Sequence, residues 1–543
     1  MKLPMMKYAD GIKKSTQIKF GGLEHSPAAK DGELWDMKNM TSDGAPMLAT
    51  RKPRRFVTKL KRPGGIFAWK KLCWVDGTDF VYDGEVVGQV TEGQKVFASI
   101  GAYIVIFPDK CCYNTVTGEY QHMEAAVEVD SLTFGNGTIY GEPAEANTIR
   151  CEGVDWAEHF RVGDGVTISG CTEISGNNLT LVIREIEGDQ LRFYENSFTL
   201  KGEEGTETYT EQGALRISRD VPDMDWICEN ENRLWGCKDN TVYCSKAMGD
   251  IFNWTVYDGL DSDAYYLQTG SVGAFTGAVS YIGYPTFMKE SNIYKVYGSV
   301  PSNFQLLGSA TLGLAEGSGR SMAVAGETLF YLNRNGIMAY TGGVPQPVNA
   351  AFGTEHFRDA VAGSDGLKYY VSMQGSDRRW RLYVYDTQRG MWHIEDDVHA
   401  TGFCQMDGCL YMLTAEGDVW IISGQEYAPD STVPEETVHW MAEFCDFTQE
   451  DPNKKGLGKL QIRLEVDRWA KAQVWIQYDS DGVWHKVGGE LGEGVKRSYY
   501  LPVIPRRCDH YRLKITGTGA CRIYSVTKET YSGSEFKSIN GRN

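Results

Sequence analysis

Residues 323–343, AVAGETLFYLNRNGIMAYTGG, carry the pattern that decides the fold. One apolar strand runs into an Asn/Gly turn, and a second strand ends in a Gly-rich turn, which is the pattern of a β-hairpin. Similar strings occur at residues 226–245 and 404–424, and looser ones at 72–87, 98–120, 275–298 and 361–393. The later copies begin at residues 275, 323, 361 and 404. A hairpin repeat of about 40–50 residues is typical of β-propeller blades, so the sequence predicts an all-β propeller of six or seven blades.

Charge and hydropathy limit what the 543-residue chain can bind. Its formal net charge is −17, which argues against binding duplex DNA through a broad basic face. No apolar run approaches the ~20 residues of a membrane span. The first 20 residues, MKLPMMKYADGIKKSTQIKF, lack the apolar core of a signal peptide. We therefore expect a chain that is made and kept in a cytosol and does not enter a membrane.

No motif indicates catalysis, a metal or a cofactor, so we expect neither an enzyme nor a cofactor-binding protein. The 13 cysteines are odd in number and lie mostly in apolar strands, which favours buried thiols, and no CxxC or HExxH string is present. A Ser–His–Asp triad needs no fixed spacing, and nothing in the chain indicates one. The nearest string to a sialidase Asp-box, Ser480 to Trp484, has the wrong spacing. Five tryptophans could stack on sugars, but we favour packing roles for Trp380, Trp392, Trp469, Trp475 and Trp484.

Changes in pattern along the chain predict several regions. Leu34 and Met37 fall at helical spacing, so the N-terminal region is expected to contain one short helix. Residues 126–219 break the repeat, and their alternating strands predict a small β-domain inserted into the propeller. The predicted regions are 1–56, N-terminal arm; 57–125, first part of the propeller; 126–219, inserted small β-barrel or sandwich; 220–425, second part of the propeller; 426–436, linker; 437–533, C-terminal β-sandwich of jelly-roll type; and 534–543, flexible tail.

The segment RKPRRFVTKLKRPGGIFAWKK, residues 51–71, holds nine Lys or Arg residues and no acid. One interpretation is a solvated strand edge, because Lys and Pro protect edges from aggregation. The other is a contact with an acidic neighbouring subunit or with a nucleic-acid backbone, and we slightly favour the protein contact. The candidate contact residues are Arg51, Lys52, Arg54, Arg55, Lys59, Lys61 and Arg62. The candidate residues of an assembly arm before them are Gly21, Gly22, Leu34, Trp35 and Met37.

Several strings resemble one family of tailed-phage structural proteins. Residues 20–54, FGGLEHSPAAKDGELWDMKNMTSDGAPMLATRKPR, match its N-terminal signature: a GGL element, then DGE-x-x-D-M-x-N-M, then an extended P-x-L-x-x-R strand. KESNIYKVYGSVPSNFQLL (289–307) and ETLFYLNRNGIMAYTGGVPQPVN (327–349) resemble its middle blades. CSKAMGDIFNW (244–254) and YDTQRGMWHIED (385–396) resemble its blade ends. IQYDSDGVWHKV (476–487) and PVIPRRCDHYRLKITGTGACRIYSV (502–526) resemble its terminal sandwich.

The family is that of packaged-DNA stabilisation proteins, also called tail nozzle or hub proteins. The resemblance implies a homo-oligomeric ring, a hexamer, in the virion tail below the portal and adaptor. It also implies that the ring retains and conducts genomic DNA and supports tail fibres, and that the chain is made in the bacterial host cytoplasm. An acidic wall would repel phosphate and let DNA slide. Two other classes stay open: a tail-tip receptor- or glycan-binding protein that uses the insert or the C-terminal sandwich, and a propeller glycosidase.

Overall fold

A computed structural model describes residues 12–26, 29–135, 147–194, 198–201, 208–448, 454–504 and 506–532. Within these ranges the regular structure is antiparallel strands and short 3-10 turns, with no α-helix, so the all-β prediction is confirmed. No helix in these ranges is long and apolar enough to cross a membrane. The chain divides into two compact units, residues 1–60 with 320–543, and residues 61–319. The predicted tail, 534–543, lies outside the described residues.

The N-terminal region forms strands and no helix. They are β1 (Lys13–Gln17), β2 (Leu34–Lys38), β3 (Met40–Thr41), β4 (Leu48–Thr50) and β5 (Arg55–Lys59), with a 3-10 turn at Ser42–Gly44. The predicted short helix is therefore wrong. A β-bulge between Leu34 and Asp36 adds one residue to β2, so Leu34 and Met37 are both buried although they are three positions apart. A bulged strand thus imitates helical spacing.

The unit of residues 61–319 begins with two four-stranded sheets. Their strands are β6 (Pro63–Trp69), β7 (Lys71–Asp76), β8 (Asp79–Tyr82), β9 (Glu85–Gln89), β10 (Val96–Ile100), β11 (Tyr103–Phe107), β12 (Cys111–Asn114) and β13 (Tyr120–His122). In each sheet the strands lie side by side in chain order. The two sheets share an apolar cluster that includes Val75, Phe80 and Ile104.

A closed barrel follows, in the order β14-β15-β18-β17-β16-β19. Its strands are β14 (Ala125–Gly135), β15 (Thr148–Arg150), β16 (Gly165–Ser169), β17 (Thr180–Glu187), β18 (Gln190–Phe193) and β19 (Thr208–Arg219), with 3-10 turns at Trp156–Glu158 and Ser175–Asn177. Trp156, Phe134 and Ile217 belong to its own apolar core. The buried Arg219 side chain pairs with Asp164 and donates to the carbonyl of Met123, just before the barrel.

Two more four-stranded sheets complete this unit. They contain β20 (Trp226–Asn230), β21 (Arg233–Lys238), β22 (Thr241–Cys244), β23 (Tyr265–Gln268), β24 (Gly277–Tyr281), β25 (Tyr284–Lys289), β26 (Asn292–Tyr297) and β27 (Gln305–Ala310), with a 3-10 turn at Pro301–Asn303. The connection from β22 to β23 spans 20 residues, 245–264, where the other connections within these sheets are short turns or loops. This long loop packs beside the barrel, as described below.

The other unit contains three sheets of the same order. Their strands are β28 (Ala323–Ala325), β29 (Thr328–Asn333), β30 (Gly336–Tyr340), β31 (Gln346–Pro347), β32 (Arg358–Ser364), β33 (Lys368–Gln374), β34 (Trp380–Asp386), β35 (Met391–Ile394), β36 (Ala400–Met406), β37 (Cys409–Thr414) and β38 (Asp418–Ser423). Further 3-10 turns lie at Gly319–Ser321, Ala350–Phe352 and Gln425–Tyr427. The second strands, such as β29 and β37, are almost wholly buried, which accounts for their continuous apolar sequences.

The third of these sheets is completed from the other end of the chain. β5 pairs antiparallel with β38, and β39 (Val433–Pro434) pairs with the far side of β5. The ring centroids of Phe56 on β5 and Trp420 on β38 lie 5.3 Å apart. One sheet therefore joins residues that are more than 360 positions apart in the sequence.

The C-terminal region adds eight strands in two sheets. They are β40 (His439–Phe444), β41 (Lys455–Val466), β42 (Lys471–Tyr478), β43 (His485–Leu491), β44 (Gly494–Leu501), β45 (Arg507–Cys508), β46 (Tyr511–Thr518) and β47 (Cys521–Ser532). One sheet has the order β3-β4-β47-β41-β44, with β1 also on β47 and β45 on β41, and the other has the order β2-β40-β46-β42-β43. Ile462 and Val526 of the first sheet and Val474 and Ile515 of the second belong to one apolar cluster.

These pairings correct the interpretation of residues 1–56 as an arm. β1, β2 and β4 are hydrogen-bonded to strands beyond residue 438, β3 pairs with β4, and β5 belongs to the sheet of β36 to β38. Burial of Leu34, Met37, Met40 and Leu48 in the shared cluster fixes these strands in place. The described part of this region is thus an integral element of its unit.

Candidate functional site

Arg54, the central residue of the predicted contact segment, is buried inside its own unit. Its side chain is 6% exposed, and its guanidinium donates to Glu395 Oε2 and to Asp396 Oδ2, both at 2.7 Å. Burial alone would raise the pKa of Asp396, but the charge and hydrogen bond of Arg54 outweigh burial, so the pKa is lowered. Asp396 is therefore ionised at neutral pH, and the two hydrogen-bonded acids hold Arg54 away from any external phosphate.

Arg51 is also buried and paired within its own unit. Its guanidinium donates to both carboxylate oxygens of Glu435, at 2.7 and 3.1 Å, and its Nε donates to Asn39 Oδ1 at 2.7 Å. The bidentate geometry is that of a strong, charge-assisted pair. Asn39 itself has a φ of 54°, a left-handed conformation that asparagine tolerates better than most residues. Arg51 thus fastens the N-terminal strands to the segment before β40.

The other five basic candidates differ in exposure. Arg55 donates to the hydroxyl and the carbonyl of Thr432. Three exposed cations form surface ion pairs: Lys52 with Glu426 at 3.1 Å, Lys59 with Asp418 at 2.9 Å, and Arg62 with Glu92 at 3.2 Å. Lys61 is exposed, and its backbone amide donates to Asp76. Two of the candidate contact residues, Arg51 and Arg54, are therefore buried and paired within their own unit, whereas Lys52, Lys59, Lys61 and Arg62 reach solvent.

The residues assigned to an assembly arm make contacts within their own unit. Leu34 and Met37 are 0% and 2% exposed. The amide of Leu34 donates to the carbonyl of Gly22, and a Cβ on Gly22 would lie 2.4 Å from the carbonyl oxygen of Trp392. Gly21 faces Glu33 in the same close manner. Trp35 is 38% exposed and lies under the guanidinium of Arg512. These positions hold the fold together rather than extend from it.

Most of the tryptophans considered for sugar stacking already contact other residues of the chain. Trp392 is 1% exposed and donates from Nε1 to the carbonyl of Val348. Trp380 stacks on His399 with ring centroids 3.7 Å apart, and Trp484 lies 3.9 Å from the Lys514 ammonium. Trp475 donates to Thr516. Trp469, by contrast, is 82% exposed.

A serine, a histidine and an aspartate meet in the C-terminal sheets. Ser480 Oγ lies 2.8 Å from His510 Nε2, and His510 Nδ1 lies 2.5 Å from Asp509 Oδ1. Such a chain of contacts has the connectivity of a catalytic triad. Asp479 adds a second carboxylate, and the ligand atoms of Asp479, Asp509 and His510 lie within 4.8 Å of one another, close enough for a metal ion.

The surroundings of this cluster favour a structural role. The backbone amides of Asp479, Asp481 and Val483 already donate to His510 O, Tyr478 O and Asp481 Oδ1. A serine hydrolase needs unengaged amides beside the nucleophile to stabilise the oxyanion. The amide of Asp509 also donates to Asp479 Oδ1, so the carboxylates close a turn.

One cysteine–histidine contact has the wrong electrostatics for a nucleophile. Cys111 Sγ lies 3.2 Å from His122 Nδ1. Burial raises the pKa of the Cys111 thiol above its ordinary value, so the reactive thiolate is disfavoured. Every cysteine except Cys404 is buried, and no disulfide joins them, in line with thiols that pack as apolar side chains.

One cavity of the unit formed by residues 61–319 lies along the loop that connects β22 to β23. A cavity of about 580 Å³ is lined by Tyr257, Gly259, Asp263, Ala264, Tyr265, Tyr266, Pro301 and Ser302. A second, of about 410 Å³, lies between this loop and the barrel and is lined by Leu181, Val182, Tyr194, Lys246, Asp258, Leu260 and Asp263. Asp263 lines both, so the two cavities adjoin. We call them together the tyrosine groove.

The groove combines exposed rings with a buried carboxylate. Tyr194, Tyr257 and Tyr266 are 51%, 49% and 50% exposed, and the Tyr257 and Tyr266 rings meet edge to face at 5.7 Å. Asp263 is 2% exposed. Its Oδ2 accepts from the amide of Leu260 at 2.8 Å, but its Oδ1 has no donor among the described residues. A buried acceptor without a partner is uncommon and calls for a physical explanation, such as a ligand that donates to it.

Arg233 on β21 fixes the shape of the loop. Its buried guanidinium donates to the carbonyls of Ser245, Asp261 and Asp263 at 2.9, 2.7 and 2.6 Å. The guanidinium also lies 5.5 Å from the ring centroid of Phe304. Burial raises the pKa of Tyr257 to about 12, so its hydroxyl is protonated at neutral pH and donates to the carbonyl of Trp254. The groove is therefore preformed on a rigid base.

No motif in the sequence predicts this groove. Its signal is local: DGLDSDAYY, residues 258–266, holds three acids and two tyrosines between two predicted strands. The contribution of the barrel, through Leu181, Val182 and Tyr194, has no such signal, because these residues are 60 or more positions away from Tyr257 in sequence.

No model of a protein family matches the chain, and no curated protein matches it. Among solved structures, BamB from Moraxella catarrhalis is similar with a TM-score of 0.32 and 9% identity, over 76% of this chain and 99% of that one. AztD from Citrobacter koseri has a TM-score of 0.28 and 10% identity, over 75% and 97%. An exo-β-1,3-galactanase from Phanerochaete chrysosporium has a TM-score of 0.21 and 9% identity, over 55% and 92%. Similarity at these TM-scores supports no argument about fold or function.

Proposed function

We propose that the seven small sheets are the blades of one β-propeller and that the two C-terminal sheets form a β-sandwich. Within each unit, successive sheets contact through their first strands: β6, β10, β20 and β24 in one, and β28, β32 and β36 in the other. The pairing of β5 with β38 supports closure, since a strand from the start of the repeats completes the last blade. Seven of the repeats recognised in the sequence correspond to these seven sheets.

We further propose that the chain is a structural component of a phage tail, a ring that retains and conducts DNA and supports fibres. The observation that carries this proposal is the placement of the family-like segment 20–54. Asp31 pairs with buried Lys528, Asn39 with Arg51, and Arg54 with Glu395 and Asp396. Residues of this segment thus form ion pairs and hydrogen bonds that connect distant strands, which fits a scaffold better than a catalyst.

The proposed partners are further copies of this chain, portal or adaptor and fibre proteins, and the DNA that passes through the ring. The exposed cations Lys52, Lys59, Lys61 and Arg62 are the proposed contacts with an acidic partner surface. A net charge of −17 would weaken adhesion of DNA to the rest of the ring.

Electron micrographs of the purified protein test the ring. Class averages are expected to show closed particles with rotational symmetry, six-fold by the family resemblance. Peptide mass spectrometry of purified virions is expected to detect the chain at several copies per particle. A monomer at high protein concentration, together with absence from virions, would contradict the proposal.

A receptor- or glycan-binding protein of the tail tip is the second candidate function. The tyrosine groove favours it, because half-exposed rings around a buried carboxylate are suited to a polar ligand with flat faces. The two candidate functions are compatible with one molecule, because the groove lies in the unit of residues 61–319 and the ion pairs of Arg51 and Arg54 lie in the other unit.

A further inference from the structure

The tyrosine groove contains a buried acceptor whose donor is absent from the described chain. Asp263 lines both cavities, and its Oδ1 has no donor among the described residues, while its Oδ2 accepts from the amide of Leu260. Leaving such a group unpaired costs about 1–3 kcal/mol. A ligand that donates a hydrogen bond at this position would recover that free energy. The two adjoining cavities, at about 580 and 410 Å³, are in the size range of ligand sites.

We propose that the tyrosine groove binds a neutral oligosaccharide, with one sugar hydroxyl donating to Asp263 Oδ1 and sugar rings lying against Tyr257 and Tyr266. The inference deepens the second candidate function and depends on that function only for its biological role. Sugars present both chemical faces that the groove requires, apolar C–H surfaces for the tyrosine rings and hydroxyls for the carboxylate.

The charges around the groove select a neutral ligand. Arg233 lies beside Asp263 and donates to its carbonyl, so the negative charge at this position already has a cation nearby. A neutral hydroxyl is then sufficient as donor. The second cavity is lined by Lys246 together with Asp258 and Asp263. An acidic ligand would meet the two carboxylates, and a cationic ligand would meet Lys246.

The barrel contributes one wall, which determines the length of the ligand. Tyr194, which directly follows the barrel strand β18, and Leu260 of the loop line the same cavity. They are 51% and 59% exposed. A single sugar would fill only one of the two cavities. We therefore expect oligosaccharides to bind more tightly than monosaccharides.

Binding is tested with the purified full-length chain on an array of neutral and acidic oligosaccharides, with a tetralysine peptide as a cationic probe. Wild type is expected to bind neutral oligosaccharides. Tyr257→Ala, Tyr266→Ala and Asp263→Asn are each expected to weaken the affinity at least tenfold, because the first two remove a stacking face and the third replaces the acceptor with a donor. Tyr500→Ala removes an exposed ring in the C-terminal sheets and is expected to bind like wild type.

Melting temperatures separate binding from folding. Asp263→Asn is expected to melt at or above the wild-type temperature, since a ligand-binding acceptor is not needed for the fold. Arg233→Ala is expected to melt well below it, because three loop carbonyls lose their donor.

Four results would overturn the inference: no neutral glycan bound, binding unchanged in all three groove variants, preferential binding of acidic glycans or tetralysine, or an Asp263→Asn melting temperature as low as that of Arg233→Ala. None of them affects the ring, which is tested separately by micrographs and virion composition.

Discussion

At the scale of single residues, buried charge is the main feature of the unit formed by residues 1–60 and 320–543. Arg54 meets Glu395 and Asp396, which lie 341 and 342 positions away in the sequence. Arg51 lies 3.8 Å from Glu395 and is paired with Glu435. Desolvating these ions is expensive, so the network is stable only while every member keeps its partner.

Arg54→Met should destabilise the protein by about 3–5 kcal/mol, because it leaves two buried carboxylates without their main cation. The matched control is Lys52→Met, which removes a cation whose pair with Glu426 is exposed and should cost about 0–1 kcal/mol. Urea unfolding followed by tryptophan fluorescence gives both values.

The difference between wild type and Arg54→Met should depend on pH. The pKa of Asp396 and that of Glu435 are lowered in the folded chain, in each case because charge and hydrogen bonds from arginine outweigh burial. The stability that these two ionised carboxylates add to the folded chain is fully present above the ordinary carboxyl pKa of about 4. It is lost as the pH falls through their lowered pKa values. Equal destabilisation by Arg54→Met and Lys52→Met at pH 7 would show that the network does not support the fold.

His393 on β35 gives a second pH dependence of stability. It comes from a buried base that is neutral in the folded chain, and not from ionised carboxylates. His393 is 2% exposed, and burial, followed by repulsion from Lys368, lowers its pKa to about 4. The unfolded chain takes up a proton near the ordinary value of 6.5, so between these values it binds more protons than the folded chain. Stability should therefore fall as the pH drops from about 6.5 to 4, by roughly 1.4 kcal/mol for each unit.

His393→Asn should flatten that slope, since asparagine does not titrate. The exposed His356 supplies the control, and His356→Asn should keep the wild-type slope. Stability is measured by urea unfolding at half-unit steps between pH 7 and pH 4. A slope that is the same in all three proteins would mean that another group causes it.

At the scale of elements, β5 is the strand on which one sheet depends. It lies between β38 and β39, so both of its edges are paired. Without it, β38 would present an unpaired edge of buried, apolar sequence. Such edges pair with other chains and promote aggregation.

Phe56→Pro should destabilise the protein by about 3 kcal/mol or prevent it from folding, because proline removes a ladder donor inside a doubly paired strand. Gln305→Pro is the control, because Gln305 is the first residue of the outer strand β27, where proline is tolerated better. Soluble yield and the melting temperature are the measurements. Comparable losses for both variants would contradict a special role of β5.

The barrel is an element with its own core and a defined attachment. Asn253 of the β22–β23 loop accepts from the amide of Gly165 at 2.6 Å and donates to the carbonyl of Gly163 at 3.3 Å. The Gly165 position admits no side chain, since a Cβ would lie 2.1 Å from Val256. These contacts explain why the loop and the barrel together form the wall of the tyrosine groove.

At the scale of the whole molecule, the acidic composition makes the remaining exposed cations conspicuous. Lys52 and Lys59 have side chains that are 64% and 58% exposed, and each is paired only at the surface. Surface pairs of this kind exchange partners at little cost. They are therefore the residues of the basic segment best able to contact an acidic neighbour.

Lys52→Glu combined with Lys59→Glu should weaken ring assembly, and the defect should be largest at low salt, where Coulomb forces are least screened. Lys459→Glu combined with Lys471→Glu reverses two equally exposed lysines in the C-terminal sheets and should leave assembly intact. Sedimentation velocity across a salt series measures assembly. If both double variants assemble like wild type, contact through Lys52 and Lys59 is excluded.

Residues 323–343 show how much local sequence determined. Alternation, turn residues and a repeat of similar length are properties of neighbouring positions, so they were sufficient to predict antiparallel hairpins and an all-β chain. The same local logic failed at Leu34 and Met37, because a bulge in a strand and a turn of helix place buried residues at the same spacing.

Only the tertiary structure decided what Arg51, Arg54 and Asp263 do. A run of cations has the same sequence whether it faces solvent or meets acids more than 340 positions away, and the pairing depends on how the chain closes on itself. Likewise, the tyrosine groove exists because a barrel wall and a distant loop pack together around Arg233. Local patterns specify strands, whereas burial and charge pairing depend on contacts that no short stretch of sequence contains.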